Sequence, residues 1–179
     1  MKQLGDICIM KERRVTTDIT DAMFELLKAK ELSEITVTEL IRKAGVCRAS
    51  FYRNFYLTED VIRQYGTTLY DEINRKIPLH RDEIYEHILA VTVLLYSERE
   101  RLSLIETRGL YHLLEEPIMQ QCVYQLQRLD VWSNIYQAEF YAGAVTHLLR
   151  VWVRSNFTES PDDISRIIYT LLNHETITL

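Results

Sequence analysis

The sequence of 179 residues is 47% hydrophobic and 26% charged, with a formal net charge of −5 and an isoelectric point near 5.6. This length suits one compact domain or a small head on a larger body, and 5 glycines and 3 prolines are too few for a turn-rich β architecture. Three widely spaced cysteines argue against a disulfide framework. No apolar run approaches the roughly 18 residues that a membrane span needs. We therefore expect an all-α, cytoplasmic protein with no membrane partner.

The acidity is concentrated in the second part of the chain. Residues 1–65 carry 11 lysines and arginines against 10 acidic residues, whereas residues 66–179 carry 10 against 16. The acidic isoelectric point is therefore compatible with a basic surface near the N-terminus.

The first thirty residues contain one predicted helix. Residues 1–10 show no periodic pattern and are predicted to form an arm without regular structure. From Val15, the apolar residues follow helical spacing to about Lys30.

Two short helices joined by a glycine are predicted next. The Thr36 hydroxyl can cap the amide of Glu39, and the Glu39 side chain can reach back, which is the pattern of a capping box. Gly45 can end this helix in a left-handed conformation. The following helix carries Phe51 and Phe55 four residues apart on one face. A short pair of this kind behind a longer helix is typical of a helix-turn-helix, whose second helix enters the major groove of DNA.

The second short helix separates its side chains by face. We expect Phe51 and Phe55 to point into the core. The outward side carries groups that suit base edges and phosphates, namely Arg48, Ser50, Tyr52, Arg53 and Asn54. Thr38, in the first turn of the preceding helix, can present its hydroxyl and amide to a phosphate.

The stretch ITVTELIRKAGVCRASFYRNF resembles the DNA-binding signature of the TetR/AcrR family of transcriptional regulators. That signature has a Thr-Val start, an Ala-Gly-Val turn, and then Ser-Arg-small-Thr-Phe-Tyr-Arg-His-Phe. The resemblance implies a regulator, more often a repressor, that binds a palindromic operator in double-stranded DNA as a homodimer and responds to a small-molecule effector. The segment FYAGAVTHLLRVWVRSNFTESPDDISRII also resembles C-terminal domains of TetR relatives near the dihydroxyacetone-kinase activator group. We expect no cofactor, no metal site and no enzyme activity.

The resemblance assigns roles to individual residues. Phosphate contacts fall on Thr38 and Tyr52, with Asn54 as a second phosphate-side residue, and the base-reading positions are Arg48, Ala49, Ser50 and Arg53. The chain departs from the family at Cys47, where a capping Ser or Thr is usual, and at Leu57-Thr58, where Ser-Lys is usual. The missing lysine predicts weaker and less salt-dependent DNA binding. The predicted DNA-binding set is Thr38, Cys47, Arg48, Ala49, Ser50, Tyr52, Arg53, Asn54 and Thr58.

The remaining residues are predicted to form a helical body, so that a DNA-binding domain at 1–60 precedes an effector-binding and dimerisation domain at 61–179. The helix at 134–155 is apolar on two sides, so it is either deeply buried or shared between a core and a partner. The resemblance implies that the last two long helices form a four-helix dimer interface. The predicted dimerisation residues are Phe140, Tyr141, Leu148, Val151, Ile164, Ile168 and Leu171.

Polar and aromatic residues in the middle of the body suit a ligand cavity. The candidates are Tyr96, Arg108, Tyr111, His112, Tyr124 and Trp132, although core and surface packing explain each of them equally well. The five histidines show no metal-ligand spacing.

Alternative interpretations remain at this stage. The body could act mainly as a module that recruits a co-activator protein, with DNA contact secondary. An enzyme is disfavoured because GxSxG, HExxH and Gly-rich phosphate-loop motifs are absent from the sequence. Cys47 could be a redox sensor, since a thiol at a helix N-terminus can have a lowered pKa, or simply a tolerated small residue.

Overall fold

The computed structural model describes the backbone of residues 2–76, 83–128 and 134–173 and the side chains of 14–75, 83–127 and 134–172. All regular structure in these residues is helical, which confirms the predicted all-α class. The helices are α1 Lys2–Leu27, a 3-10 helix Leu32–Glu34, α2 Val37–Ala44, α3 Arg48–Asn54, α4 Glu59–Lys76, α5 Ile84–Ser97, α6 Arg99–Thr107, α7 His112–Arg128, α8 Ile135–Arg154 and α9 Pro161–Asn173. None of these described helices is long and apolar enough to cross a membrane.

Two predicted helix starts are wrong. The first helix begins at Lys2, so residues 2–10 continue α1 instead of forming an arm. Proline is a residue type favoured in the first turn of a helix, and the sequence therefore predicts a helix that begins at Pro117. The helix instead begins at His112, and the proline lies inside it. Pro117 has no backbone N–H to donate to a carbonyl in the preceding turn of the helix. That turn includes Leu113 and Leu114, which are buried, so their packing stabilises it instead.

Contacts divide the chain into two compact units, Met1–Tyr65 and Gly66–Leu179, with the boundary inside α4. In the first unit, α1 packs against α2 and α3, and these two short helices pack against each other. The core of this unit is a set of fully buried side chains that includes Ile19, Met23, Leu27, Leu40, Phe51, Phe55, Val61 and Ile62. The assignment of separate functions to residues 1–60 and 61–179 stays a prediction.

In the second unit, α5 packs against α9, and α8 packs against α6, α7 and α9. A buried polar contact connects α5 to α9: Thr92 Oγ1 lies 2.8 Å from Ser165 Oγ, and Ser165 donates to the Pro161 carbonyl at 2.6 Å. The Thr92 hydroxyl is also within hydrogen-bond distance of the Leu89 carbonyl, at 2.9 Å. These bonds satisfy two hydroxyls that are fully removed from solvent.

Candidate nucleic-acid interface and internal cavity

The start of α2 is held by a single cap. Thr36 Oγ1 accepts a hydrogen bond from the Glu39 amide at 3.2 Å, as the sequence predicts. The Glu39 carboxylate does not reach back to Thr36, because it pairs with Lys30 Nζ at 2.6 Å. The predicted capping box is therefore only half formed. Its second half is replaced by an ion pair that connects α2 to the loop after α1.

The end of α2 is a left-handed turn at Gly45, where φ is 67°. The Val46 amide donates to the Ile41 carbonyl at 3.1 Å, and the Gly45 amide donates to the Arg42 carbonyl at 3.4 Å. This pair of bonds is a Schellman motif, which ends one helix and redirects the chain within two residues. The motif fixes where α3 begins, and it confirms the left-handed role predicted for Gly45.

Helix α3 presents opposite chemistry on its two faces. Phe51 and Phe55 are 0% and 1% exposed, and their ring centroids lie 5.5 Å apart. Tyr52 is 45% exposed, and Arg48, Ala49 and Arg53 are also exposed, whereas Ser50 is half-buried. The predicted orientation of the helix is confirmed, with the rings inside and the guanidinium and phenol groups outside.

The two arginines of α3 differ in how they are held. Arg48 Nη2 donates to Tyr52 Oη at 3.3 Å, and its guanidinium lies 5.6 Å from the centre of the Tyr52 ring. Arg53 forms no hydrogen bond or ion pair with the side chains that the structure describes. Arg48 and Tyr52 are thus oriented as a pair, while Arg53 is available to an outside acceptor.

The remaining polar residues of α3 make contacts within the helix. Cys47 gives no side-chain cap, and its Sγ lies 3.2 Å from Ser50 Oγ. This hydroxyl, followed by nearby backbone amides, holds the pKa of the Cys47 thiol below its ordinary value. Asn54 Nδ2 donates to the Ser50 carbonyl at 2.9 Å, so one of its two amide hydrogens is already used.

A carboxylate orders the loop between α3 and α4. Asp60 Oδ2 accepts from the Leu57 amide at 2.8 Å and from the Tyr56 amide at 3.0 Å. Partial burial alone would raise the pKa of Asp60, but these amides and Arg63 bring it below its ordinary value. Tyr56, beside α3, is 83% exposed. It was not among the predicted DNA-binding residues, because the family signature assigns no contact to its position.

Two further predicted DNA-binding residues flank this region. Thr58 is half-buried, and its hydroxyl donates to Glu59 at 3.5 Å. Thr38, the remaining predicted phosphate contact, is exposed in α2.

The second unit contains a cavity of about 150 Å³ lined mainly by aliphatic side chains of α4, α5, α7 and α8. Its polar lining comprises Tyr70, Asn74, His87, Tyr111, Glu115, Cys122, Gln125, Tyr141 and Thr146. Burial raises the pKa of the Cys122 thiol to about 11, so this thiol is protonated and unreactive near neutral pH.

Of the five predicted ligand residues that the structure describes, Tyr111 alone lines this cavity. Tyr96 lines a separate surface depression, His112 is exposed with its Nδ1 3.0 Å from the Gly109 carbonyl, and Tyr124 is exposed. Arg108 is a half-buried residue at the end of α6. Trp132 lies outside the described residues. The structure therefore does not bring the predicted set together.

A charged cluster adjoins the cavity. Arg150 Nη1 donates to Glu115 Oε2 at 3.2 Å, and Arg150 Nε lies 3.6 Å from Glu106 Oε2. The guanidinium also lies 4.9 Å from the centre of the Tyr111 ring. Burial, followed by the Glu115 carboxylate, raises the pKa of Tyr111. The cluster contains two carboxylates for one guanidinium, and this excess negative charge disfavours a phenolate.

Helix α8 has one buried side and one open side. Ala138, Ala142 and Trp152 are buried, whereas Phe140 and Val151 are 55% and 38% exposed. Separations of four and ten residues within the buried set, and of eleven residues between Phe140 and Val151, place the buried set and the exposed pair on opposite faces of α8. This distribution confirms the prediction of a helix that is apolar on two sides.

The predicted dimerisation residues divide in the same way. Ile164 and Ile168 are 7% and 0% exposed, so they belong to the chain's own core, and this part of the prediction is corrected. Tyr141 is half-buried and lines the cavity, so it is not part of the exposed side of α8. Phe140, Val151 and Leu171 are exposed, and Leu148 is half-buried.

A family model described as a transcriptional regulator C-terminal region, of the TetR type, matches residues 84–174, which is just over half of the chain. The chain belongs to the TetR family of transcriptional regulators. Proteins of this family and the similar structures are regulators and not enzymes. TetR regulators bind DNA, usually as dimers, and respond to ligand effectors.

Individual relatives agree with this membership. The uncharacterized HTH-type transcriptional regulator YxbF of Bacillus subtilis (strain 168) is 24% identical over 170 residues, which are 88% of this chain and 44% of that protein. The chain thus spans under half the length of this relative.

One solved structure is similar in fold, and a second gives a weaker match. NalD, the secondary repressor of the MexAB-OprM multidrug efflux pump in Pseudomonas aeruginosa, is 19% identical, with 92% of this chain and 96% of that chain covered and a TM-score of 0.58. The TetR family repressor AlkX from Dietzia is also 19% identical, with 89% and 94% covered and a TM-score of 0.49.

Proposed function

We propose that this TetR-type regulator is a repressor that binds a palindromic operator in double-stranded DNA as a homodimer, and that a small molecule in its internal cavity controls this binding. The geometry of α3 carries the proposal. Two buried rings anchor the helix, and Arg48, Tyr52 and Arg53 extend from its exposed face directly after a fixed turn. Such a surface combines bidentate base readers with a phosphate ligand. Access to chromosomal DNA implies a cytoplasmic location.

The proposed DNA contacts are those assigned from the family signature. We rank them by whether each side chain already has a hydrogen-bond partner within the chain. Arg53 is the strongest candidate for base reading, because its guanidinium has no partner among the described residues. Arg48 is a second reader whose approach is steered by Tyr52. Thr38, Ala49, Ser50 and Tyr52 complete the surface. Cys47, Asn54 and Thr58 are peripheral members, since their side chains already make local bonds.

The proposed dimer uses the open side of α8 together with α9. Phe140, Val151 and Leu171 expose apolar surface there, and Leu148 borders it. Exposed aromatic and aliphatic groups on two helices that pack against each other commonly mark a protein interface. A two-fold axis at this face would give two copies of α3, which must lie about 34–36 Å apart to occupy successive major grooves.

A binding-site selection tests the proposal. The purified full chain is mixed with random-sequence duplexes, and the retained DNA is sequenced. We expect an inverted repeat with half-sites one helical turn apart, and an assembly of two chains per duplex in analytical ultracentrifugation. Retention of DNA without sequence preference at low salt, or no retention, would contradict the proposal. Capture of a partner protein by a dimer that ignores DNA would instead favour a recruiting module.

Two substitutions in α3 separate base reading from phosphate contact. Arg53→Ala should lose about tenfold in operator affinity and relax preference at one position of each half-site, because one bidentate base contact is removed. Tyr52→Phe should weaken all sequences alike by roughly threefold to tenfold, since it removes a phosphate ligand and the acceptor that orients Arg48. Arg99→Ala, which changes an exposed arginine at the start of α6, outside the proposed DNA and dimer faces, is the matched control. The reverse pattern for Arg53 and Tyr52 would mean that the two residues have exchanged roles.

A further inference from the structure

The cavity of the second unit has a charge character as well as a shape. Among the described residues that line it, there is one carboxylate, Glu115, and no lysine or arginine. The other polar lining groups are neutral amides, hydroxyls and a thiol, together with His87. A free carboxylate or phosphate would find no lysine or arginine in this described lining, and the adjoining guanidinium of Arg150 is already shared by Glu115 and Glu106. Burying an unpaired anion in such surroundings is strongly unfavourable.

Glu115 has acceptor capacity that the protein does not use. One of its oxygens, Oε2, accepts from Arg150 Nη1 at 3.2 Å. The other oxygen makes no hydrogen bond with any residue that the structure describes. Because an ionised carboxylate can accept about four hydrogen bonds, Glu115 can receive a donor from a ligand while it keeps its contact with Arg150.

Arg150 does not neutralise the cluster. It is shared between Glu115 and Glu106, which lies 3.6 Å away on the Nε side. Glu106 Oε2 and Arg150 Nε are buried and have no hydrogen-bond partner in the described structure. The two carboxylates and one guanidinium leave one net negative charge beside the cavity, and a cation bound there would balance it.

The size of the cavity limits the ligand. A volume of about 150 Å³ equals that of an engineered protein cavity that binds benzene. The aliphatic walls of α4, α5, α7 and α8 suit a single ring or a short alkyl chain, and a larger ligand would have to displace side chains.

We infer that the effector cavity binds a small hydrophobic amine, with its ring or short chain among the aliphatic side chains and its ammonium group donating to Glu115 beside Tyr111 and Arg150. This inference rests on the proposed role of the cavity as the effector site. It adds the chemical class of the effector and the residue that selects it.

Three probes of similar size test the inference. Benzylamine, ethylbenzene and benzoate share one ring and differ in carrying a positive charge, no charge or a negative charge. Each is titrated into the full chain without DNA in a calorimeter. We expect benzylamine to bind at least about tenfold more tightly than ethylbenzene, because a charge-assisted hydrogen bond to Glu115, whose side chain is 38% exposed, adds to the same apolar contact. Benzoate should bind more weakly than either.

Substitution of the carboxylate identifies the selecting group. Glu115→Gln should reduce the preference for benzylamine over ethylbenzene to about threefold or less, while ethylbenzene binding stays unchanged. Glu116→Gln, an exposed neighbour in α7, is the matched control and should keep the wild-type preference. Thermal unfolding by circular dichroism verifies that both variants are folded. Glu106→Gln provides a second neutralisation that does not alter the cavity wall, and it should also reduce the preference.

The outcomes separate the ligand class from the effector role. Binding of benzylamine no tighter than ethylbenzene or benzoate, or no binding of any probe, would overturn the amine inference. Release of the selected operator by ethylbenzene alone would also overturn the amine class and would leave the cavity as an effector site. Tight benzylamine binding without any effect on operator affinity would support the class and contradict the proposed control of DNA binding.

Discussion

The turns after α2 and α6 have the same geometry and offer a matched pair of substitutions. Gly45 and Gly109 have φ angles of 67° and 70°. After each, the next residue's amide donates to a carbonyl five residues back, from Val46 to Ile41 at 3.1 Å and from Leu110 to Ile105 at 2.9 Å. A Cβ added at either glycine would meet no atom within 4 Å outside the glycine and its two chain neighbours. Replacement by alanine therefore changes the backbone energy alone.

The magnitude follows from this shared geometry. An alanine in the left-handed region costs about 1–2 kcal/mol, because its Cβ approaches the following carbonyl oxygen. A more restricted unfolded chain returns roughly 0.4–1 kcal/mol of this. We expect Gly45→Ala and Gly109→Ala each to lower the free energy of unfolding of the unit that contains it by about 1 kcal/mol.

The two variants should differ in function. Urea unfolding is followed by two probes. Tryptophan fluorescence reports on residues 66–179, because Trp132 and Trp152 are the two tryptophans of the sequence. Far-ultraviolet circular dichroism reports on all helices. Gly45→Ala should also weaken operator binding, because the turn at Gly45 positions α3. Gly109→Ala should leave operator affinity within about twofold. Equal losses of operator affinity, or no loss of stability in either variant, would refute the reasoning.

Three further predictions concern single contacts. Asn156 has φ 57° at the end of α8, and its Oδ1 accepts from the Ser103 hydroxyl at 3.4 Å. Asn156→Ala should therefore lower the free energy of unfolding by about 1 kcal/mol in urea titrations, and an increase would contradict this. Thr92→Val should cost about 1–2 kcal/mol, because it removes the hydroxyl that contacts Ser165 at 2.8 Å, and the loss should be less than additive with Ser165→Ala in a double-mutant cycle. Iodoacetamide at pH 7.5 should modify Cys47 well before Cys122, because the pKa of Cys47 is lowered and that of Cys122 is raised to about 11; peptide mass spectrometry would show the reverse order if these environments were wrong.

The geometry of the first unit was largely predictable because its signals are local. The cap at Thr36, the left-handed residue Gly45 and the spacing of Phe51 and Phe55 each depend on residues within one or two turns. The second half of the capping box was not predictable, because Lys30 competes for Glu39 from outside the motif. The Asp60 bonds to the α3–α4 loop were missed, although an acid in the first turn of a helix is a recognisable signal for such contacts.

The cavity could not be derived from any single stretch of sequence. It exists because side chains from several helices do not fill the space between them, and such a space depends on the relative positions of the helices. Residue type alone favoured exposed groups such as Tyr124 and His112 as ligand contacts. The group that gives the cavity its charge, Glu115, looked like an ordinary surface residue, because its neighbour Glu106 is distant in sequence and meets it only through Arg150.

Helix α8 shows that an apolar sequence pattern predicts which sides of a helix avoid water but does not predict what each side packs against. Both of its sides are apolar, and the sequence allowed either deep burial or a shared role. The structure excludes deep burial of both sides, since Ala142 and Leu149 line the cavity while Phe140 and Val151 are exposed. A helix is stiff across its diameter, so a displacement imposed by a molecule in the cavity moves both faces together. If that molecule is the effector and the open face is the dimer interface, α8 contacts both the effector and the second copy. The two binding events are then coupled through this single helix.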